Sequence, residues 1–106
     1  RSIETQTKLT LINTSIDNPS VDVYILREGE TVDETFPLIP ILTTFAPPFA
    51  APIQPNQYDL YLTVPFEKTI LFGPVPLDAQ AGDVVEGLVY DTADPNVPRL
   101  EFIPLP

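Results

Sequence analysis

The sequence predicts an all-β protein, an antiparallel sandwich of two sheets with about seven strands. The 14 prolines among 106 residues leave no window for an ordinary helix, because a proline inside a helix costs about 3 kcal/mol. Between the prolines, apolar and polar residues alternate, as in strands that bury one face. The apolar residues are mostly Val, Ile, Leu, Phe and Tyr, which suit a pleated surface. A chain of this length is expected to form a single domain, residues 1–106.

The first half of the chain contains three candidate strands, over residues 8–13, 21–26 and 31–36. The third is polar and is therefore expected at a sheet edge. In the second strand, the alternate apolar residues are expected in the core: Val21, Val23 and Ile25. Asp22 and Tyr24 lie between them and are predicted to face away from the core. Asp22 is also expected to bond a neighbouring loop.

Residues 37–56 are the least regular part of the sequence because they are rich in proline. Since proline cannot donate to a sheet ladder, this segment is expected to be an edge strand or a crossover between strands. Residues 42–45 and 49–53 are predicted to pair with each other. Phe45 and Phe49 bracket two prolines, and we interpret them as closing one end of the sandwich. The alternative is an exposed apolar knob.

The second half contains the clearest strand, residues 58–64, in which alternate residues are predicted to face inward: Tyr58, Leu60, Leu62 and Val64. Further strands are predicted over residues 69–77, 84–90 and 99–103. The connections are too short for helical crossovers, so the pairing is expected to be mostly antiparallel.

The composition argues against catalysis. The chain contains neither His nor Cys, which excludes Ser–His and Cys–His nucleophile pairs, thiolate metal sites and disulfides. No pair of acidic residues is placed to converge in a cleft, as a glycosidase requires. The chain is therefore predicted not to be an enzyme and to need no cofactor.

The net charge of −10 limits the partners. Nucleic acid is not expected, because binding needs Lys and Arg to displace counterions from phosphates. Anionic membrane surfaces are disfavoured by the same repulsion, and no stretch approaches the ~20 apolar residues of a membrane span. The chain starts at Arg1 without a signal-peptide pattern, so we expect a trimmed or mature fragment whose export signal lies outside it.

The weak candidates for metal ligands are Asp91, Asp94 and Asn96, whose oxygens would suit Ca²⁺. Their spacing is not that of an EF-hand, and the alternative is an Asx-type turn that bonds its own backbone. Two further pairs receive the same turn interpretation: Asp78 with Asp83, and Asp17 with Asn18.

Two other features suggest binding surfaces. Tyr24 and Tyr61 are predicted on the outward faces of two strands and would form a sugar platform if those strands are neighbours. Partial packing on the sheet is the alternative, and the chain has no Trp for stacking. The apolar segment 37–53 is a candidate interface for a two-fold homodimer.

Three stretches share motifs with a known family: residues 11–15 with 18–24, residues 54–63 and residues 75–85. The first has an opening strand, an N-x-S turn and a V-D-V-Y strand. The second has a turn and a strand that begins with Tyr, and the third has an A-G-D turn before a strand. Together they resemble the DUF4397 family, a domain of unknown function in exported and cell-envelope bacterial proteins. The likeness covers about residues 8–105.

The resemblance implies an immunoglobulin-like sandwich in the periplasm or at the cell surface, and it brings no catalytic or binding residues with it. The leading hypothesis is a non-enzymatic structural or interaction module with an unknown protein or surface glycan as partner. The alternative is a ligand-binding module, for carbohydrate or for Ca²⁺-assisted adhesion.

Overall fold

The computed structural model describes residues 5–104, which form eight strands. Arg1 and Leu105, which were considered above, lie outside the described residues. The strands are β1 (Thr7–Asn13), β2 (Ser20–Leu26), β3 (Ile39–Thr43), β4 (Phe49–Ile53), β5 (Asn56–Thr63), β6 (Ile70–Ala79), β7 (Val84–Tyr90) and β8 (Arg99–Pro104).

These strands form two four-stranded sheets packed face to face. Sheet 1 has the order β4-β1-β7-β8 and sheet 2 the order β3-β2-β5-β6, which confirms the predicted two-sheet β-sandwich. Strands β1 to β6 pair as the immunoglobulin strands B, C, C′, E, F and G do, with B beside E and C′, C, F and G in the other sheet.

Strand β7 occupies the place beside β1 where the immunoglobulin fold has its first strand. It runs parallel to β1, in register from Lys8 opposite Val84 to Asn13 opposite Val89. Through this pairing, sheet 1 contains β7 and β8, two strands from late in the chain. Every other ladder among the described residues is antiparallel, as predicted for most of the sheet.

The core lies between the sheets and contains the inward side chains of the central strands. The least exposed of them are Leu9, Leu11, Val21, Val23, Leu60, Leu62, Val89 and Leu100. Burial of each such side chain contributes about 1.5–3 kcal/mol. The predicted inward faces are confirmed for the cluster members on β2 and β5, with Ile25 packed against them: Val21, Val23, Tyr58, Leu60 and Leu62. Val64, which was also predicted to face inward, lies beyond the end of β5 and outside the cluster.

The outer face of sheet 2 is covered, which alternation alone does not predict. Asp22 and Tyr24 face away from the core as expected, yet each is only 2% exposed. The segment between β2 and β3 folds back over Tyr24, where Val32 packs against Tyr24 and Leu26 in a second small cluster. Asp22 is buried where it bonds the main chain of two other segments. Strand β2 is therefore buried on both faces.

The predicted strand over residues 31–36 is wrong. Val32–Glu34 form a single 3-10 turn, in which the Glu34 N–H donates to the Thr31 carbonyl at 3.2 Å. Of its two apolar side chains the segment buries only Val32, while Phe36 is exposed. Its main chain is bonded locally instead of in a ladder.

The predicted pairing of residues 42–45 with 49–53 is also wrong. Strand β3 pairs with β2, and β4 crosses to the other sheet and pairs with β1. The edge and crossover roles expected for the proline-rich segment are thus both present, since β3 and β4 are terminal strands. Phe45 is 71% exposed and does not close the end of the core, whereas Phe49 is 38% exposed.

Candidate functional site

One buried carboxylate organises the outer face of sheet 2. The Oδ1 atom of Asp22 accepts the N–H of Ile41 at 2.8 Å, and its Oδ2 atom accepts the N–H of Phe66 at 3.0 Å. Ile41 belongs to β3, while Phe66 lies in the turn between β5 and β6. A single side chain on β2 therefore fixes the main chain of an edge strand and of a turn.

Both residues that Asp22 holds have a left-handed backbone conformation. The φ angles are 55° at Ile41 and 64° at Phe66, a region that costs an L-residue about 1–2 kcal/mol. A β-branched or bulky residue there is an outlier. The side chains are nevertheless exposed, Ile41 by 43% and Phe66 by 81%.

Lys68 joins the same turn to the segment that covers β2. Its Nζ atom donates to the Thr35 carbonyl at 2.6 Å and to the Tyr24 hydroxyl at 3.1 Å. The ammonium group also lies 5.9 Å from the centre of the Phe36 ring, within the range of a cation–π contact. Phe36 is 91% exposed. We refer to the exposed side chains of Phe36, Ile41 and Phe66 as the outer apolar surface.

Acidic residues adjoin the outer apolar surface along the chain. Asp33 and Glu34 precede Phe36 closely, and Glu67 follows Phe66; all three are exposed. Exposed apolar side chains are therefore close in sequence to negative charge, and the Lys68 cation lies beside one of them, Phe36.

The acidic turn after β2 carries the ion pair of the described residues, between Arg27 and Glu30 at 3.3 Å. The Glu30 carboxylate also accepts the Arg27 N–H at 2.7 Å. This main-chain bond, followed by the bond from the guanidinium, lowers the pKa of Glu30. The pair fixes the turn locally.

The two carboxylates among the three metal candidates of the sequence bond different loops. Asp91 accepts the Ser15 hydroxyl, the Ile16 N–H at 2.9 Å and the Asp17 N–H at 3.2 Å. Asp94 instead accepts the N–H of Asn96 at 2.9 Å, within its own loop, which is the geometry of an Asx turn.

The hydrogen bonds to Asp91 also affect its ionisation. The bond from the Ser15 hydroxyl has the largest effect and, with the main-chain N–H groups of Ile16 and Asp17, lowers the pKa of Asp91. Hydrogen bonds to a carboxylate favour its charged form. Among residues 5–104, no three acidic side chains are grouped so as to hold a metal ion.

Asp78 and Asp83 bond within their own turn, whereas Asn18 bonds a distant loop. Asp83 accepts the Gln80 N–H at 3.1 Å, and Asp78 accepts the Gln80 side-chain amide at 2.9 Å. The Asn18 side chain donates to the Pro95 carbonyl at 3.1 Å, so it joins the loop after β1 to the loop before β8.

Asn13 is a positioning residue that the sequence analysis missed. It is fully buried at the end of β1, and its amide donates to the carbonyls of Leu42 at 2.9 Å and Asn18 at 3.2 Å. The side-chain oxygen of Asn13, Oδ1, accepts the Ser15 N–H at 2.8 Å. The available signal was the Asn-x-Ser run after an apolar strand, which is typical of an Asx turn.

Tyr24 and Tyr61 are directly opposite each other on β2 and β5, as the sugar-platform hypothesis required. Tyr24 is buried beneath Val32 and Lys68, however, and Tyr61 is half-buried. The pair is packed on the sheet and does not offer two open rings.

A groove of about 400 Å³ lies on the other sheet, between β4, β1 and the turn before β7. Ala50, Ala51 and Pro52 form part of its wall, and Lys8 and Asp83 are its charged residues. It contains no aromatic side chain on which a sugar ring could stack.

No protein-family model, curated protein or solved structure matches this chain. The fold and site define a β-sandwich whose loops are held by buried polar side chains. No helix among the described residues is long and apolar enough to cross a membrane.

Proposed function

We propose that this chain is a non-enzymatic interaction module of an exported or cell-envelope bacterial protein, and that it binds a protein partner through the outer apolar surface. The resemblance to DUF4397 supports the periplasmic or extracellular location. The partner surface would combine apolar side chains with an excess of basic residues.

The observation that carries this proposal is the clamp between Asp22 and the main chain of Ile41 and Phe66. Glycine would adopt both positive φ angles without strain. The chain instead has a large apolar residue at each position and leaves it exposed, Ile41 in part and Phe66 for the most part. Strained residues that gain little from burial are typical of binding sites, where the side chain is needed for something other than folding.

Charge indicates the chemistry of the partner. The chain has a net charge of −10, and Asp33, Glu34 and Glu67 adjoin the outer apolar surface. A basic partner would be attracted at long range, and an acidic one would be repelled. The apolar side chains would then contribute the buried centre of the interface.

The hydrogen bonding supports a scaffold and not a reaction centre. Both oxygens of the buried Asp22 accept main-chain N–H groups. Within residues 5–104, no buried side-chain nitrogen or oxygen lacks a hydrogen-bond partner. The polar side chains inside the fold are thus occupied in holding loops.

The test is a peptide-display selection against the whole chain, with binding of each enriched peptide then measured by titration. We expect basic peptides with apolar residues, whose binding is lost in the variant Phe36→Ser with Phe66→Ser. The control is Ile16→Ser, which removes an exposed apolar side chain from the loop after β1 (65% exposed) and at a position without a positive φ angle. Enrichment of acidic peptides, or binding that only the control variant abolishes, would refute the proposal.

The alternative, a module for carbohydrate or Ca²⁺-assisted adhesion, stays a prediction, as does a homodimer through segment 37–53. A ligand that binds only the folded state adds about 2.7 kcal/mol of stability at 100 times its Kd. An unchanged thermal melt in Ca²⁺ would exclude the metal version, and a glycan array without hits the sugar version.

A further inference from the structure

Strand β8 ends sheet 1, and no strand within residues 5–104 pairs with its outer edge. The direction of the main-chain groups of β8 follows from the parallel ladder of β1 and β7. There the Lys8 N–H donates to the Asp83 carbonyl, and the Thr14 N–H donates to the Val89 carbonyl. The odd-numbered residues of β7 therefore turn their main-chain groups towards β1, and the even-numbered residues turn theirs towards β8.

The register of β7 and β8 places Leu88 opposite Glu101 and Tyr90 opposite Arg99. The main-chain groups of Arg99 and Glu101 are consequently bonded to β7. Those of Leu100 and Phe102 point out from the open edge. This edge can accept another strand.

The other terminal strands are blocked by proline within their length. These prolines are Pro40 in β3, Pro52 in β4, and Pro74 and Pro76 in β6. Proline lacks the N–H that a ladder needs. In β8 a proline stands only at the last position, Pro104, and the stretch from Arg99 to Ile103 contains none. Strand β8 is therefore the terminal strand best suited to pairing.

We propose that β8 pairs antiparallel with β8 of a second copy of this chain, with Leu100 opposite Leu100 of the partner subunit. The Leu100 and Phe102 N–H groups of each copy then donate to the carbonyls of Leu100 and Pro98 of the partner subunit. The interface uses the edge of sheet 1 and goes beyond the proposed function, which uses the face of sheet 2.

Charge selects this register among those that the bonding pattern allows. It places Arg99 opposite Glu101 of the partner subunit, and the same contact is repeated by symmetry. A shift by one step in either direction along the ladder places Arg99 opposite the partner's Arg99, or Glu101 opposite the partner's Glu101. Like charges directly opposite each other destabilise a pair of strands, while opposite charges stabilise it.

The side of the sandwich that has β8 and β6 as terminal strands also has partly exposed apolar side chains. Phe102 on β8 and Phe72 on β6 are half-buried at the margin of the core, and the Arg99 guanidinium lies 5.3 Å from the centre of the Phe72 ring. Arg99 is thus already placed beside the free edge. A second copy would cover this margin and bring Glu101 of the partner subunit to the guanidinium.

Engineered cysteines test the register directly, because the native chain has none. We expect an equimolar mixture of Arg99→Cys and Glu101→Cys proteins to form a mixed disulfide, since directly opposite residues of this type have Cα atoms about 4.5 Å apart. Each variant alone, which can only link like positions, serves as the control. Faster linkage within either single variant than in the mixture would overturn the proposal.

Sedimentation and hydrogen exchange on the unmodified chain provide the second test. At about 1 mM we expect a dimer, with the Leu100 and Phe102 amides more protected than in dilute solution. Arg99→Glu or Glu101→Arg alone should weaken dimerisation about tenfold, and the two together should restore it. A chain that stays monomeric at that concentration, or double reversal without recovery, would refute the interface; Glu28→Arg controls for net charge.

Discussion

The carboxylate of Asp22 bonds the main chain of Phe66, 44 residues further along the sequence, at 3.0 Å. Its second oxygen bonds Ile41, so β2 determines the backbone conformation of two distant segments. The Asp22 carboxylate therefore has two roles. It belongs to the buried outer face of β2, and it fixes the backbone that carries two exposed apolar side chains.

Asp22→Asn should lower the free energy of unfolding by about 2 kcal/mol, measured by urea denaturation. An amide has one accepting oxygen, so either the Ile41 or the Phe66 N–H would face an NH₂ group and lose its acceptor. Asp59→Asn is the control, because Asp59 is exposed on the adjacent strand and its replacement should change stability by less than about 0.5 kcal/mol. Equal effects of the two substitutions would contradict the clamp.

Phe66→Gly should be more stable than Phe66→Ala by about 1 kcal/mol. Both substitutions remove the exposed ring, but only glycine relieves the strain of the 64° φ angle. Thermal and urea unfolding of the two variants give the difference. If alanine proved the more stable replacement, Phe66 would not have the left-handed conformation described here.

Gly87→Ala should destabilise the sandwich by about 1–3 kcal/mol through overpacking. A Cβ atom at this buried position would lie 2.4 Å from Cδ2 of Leu11 and 3.3 Å from Cδ1 of Leu100. In a double-mutant cycle by urea denaturation, Leu11→Ala should offset part of the cost, because it vacates that space. Strictly additive effects would argue against this contact.

The melting temperature should fall in acid partly through Asp91. Its pKa is lowered in the folded protein, chiefly by the Ser15 hydroxyl, so its contribution is present above the unfolded value of about 3.9 and is lost as the pH falls through the folded value. The difference in melting temperature between the wild type and Asp91→Asn should therefore be constant near neutral pH and shrink below about pH 4. A difference that grows in acid would have the wrong sign.

The central strands could be predicted from the sequence because their signal is local. In β2 and β5 the alternation of residues such as Val21, Val23, Leu60 and Leu62 determines which side chains enter the core. The burial of Tyr24 could not be predicted in this way. It depends on Val32 and Lys68, which arrive from other segments.

The partners of the strands were harder to predict than the strands themselves. Nothing in the local pattern of β4 shows that it joins β1, or that β7 runs parallel to β1. The clamp was predicted only in part: a mid-strand acid at position 22 indicated a bond to a loop, but the identity of the donors, Ile41 and Phe66, follows from how the edge strand and the turn meet over β2.

The parallel ladder between β1 and β7 has a consequence for synthesis of the chain on the ribosome. Leu9 and Leu11 of β1 are made more than seventy residues before β7, a neighbour of their strand. Until that segment emerges, the nascent β1 has an unsatisfied edge that other chains can occupy. Holdase chaperones that shield β1 during this interval would then raise the yield of correctly folded protein.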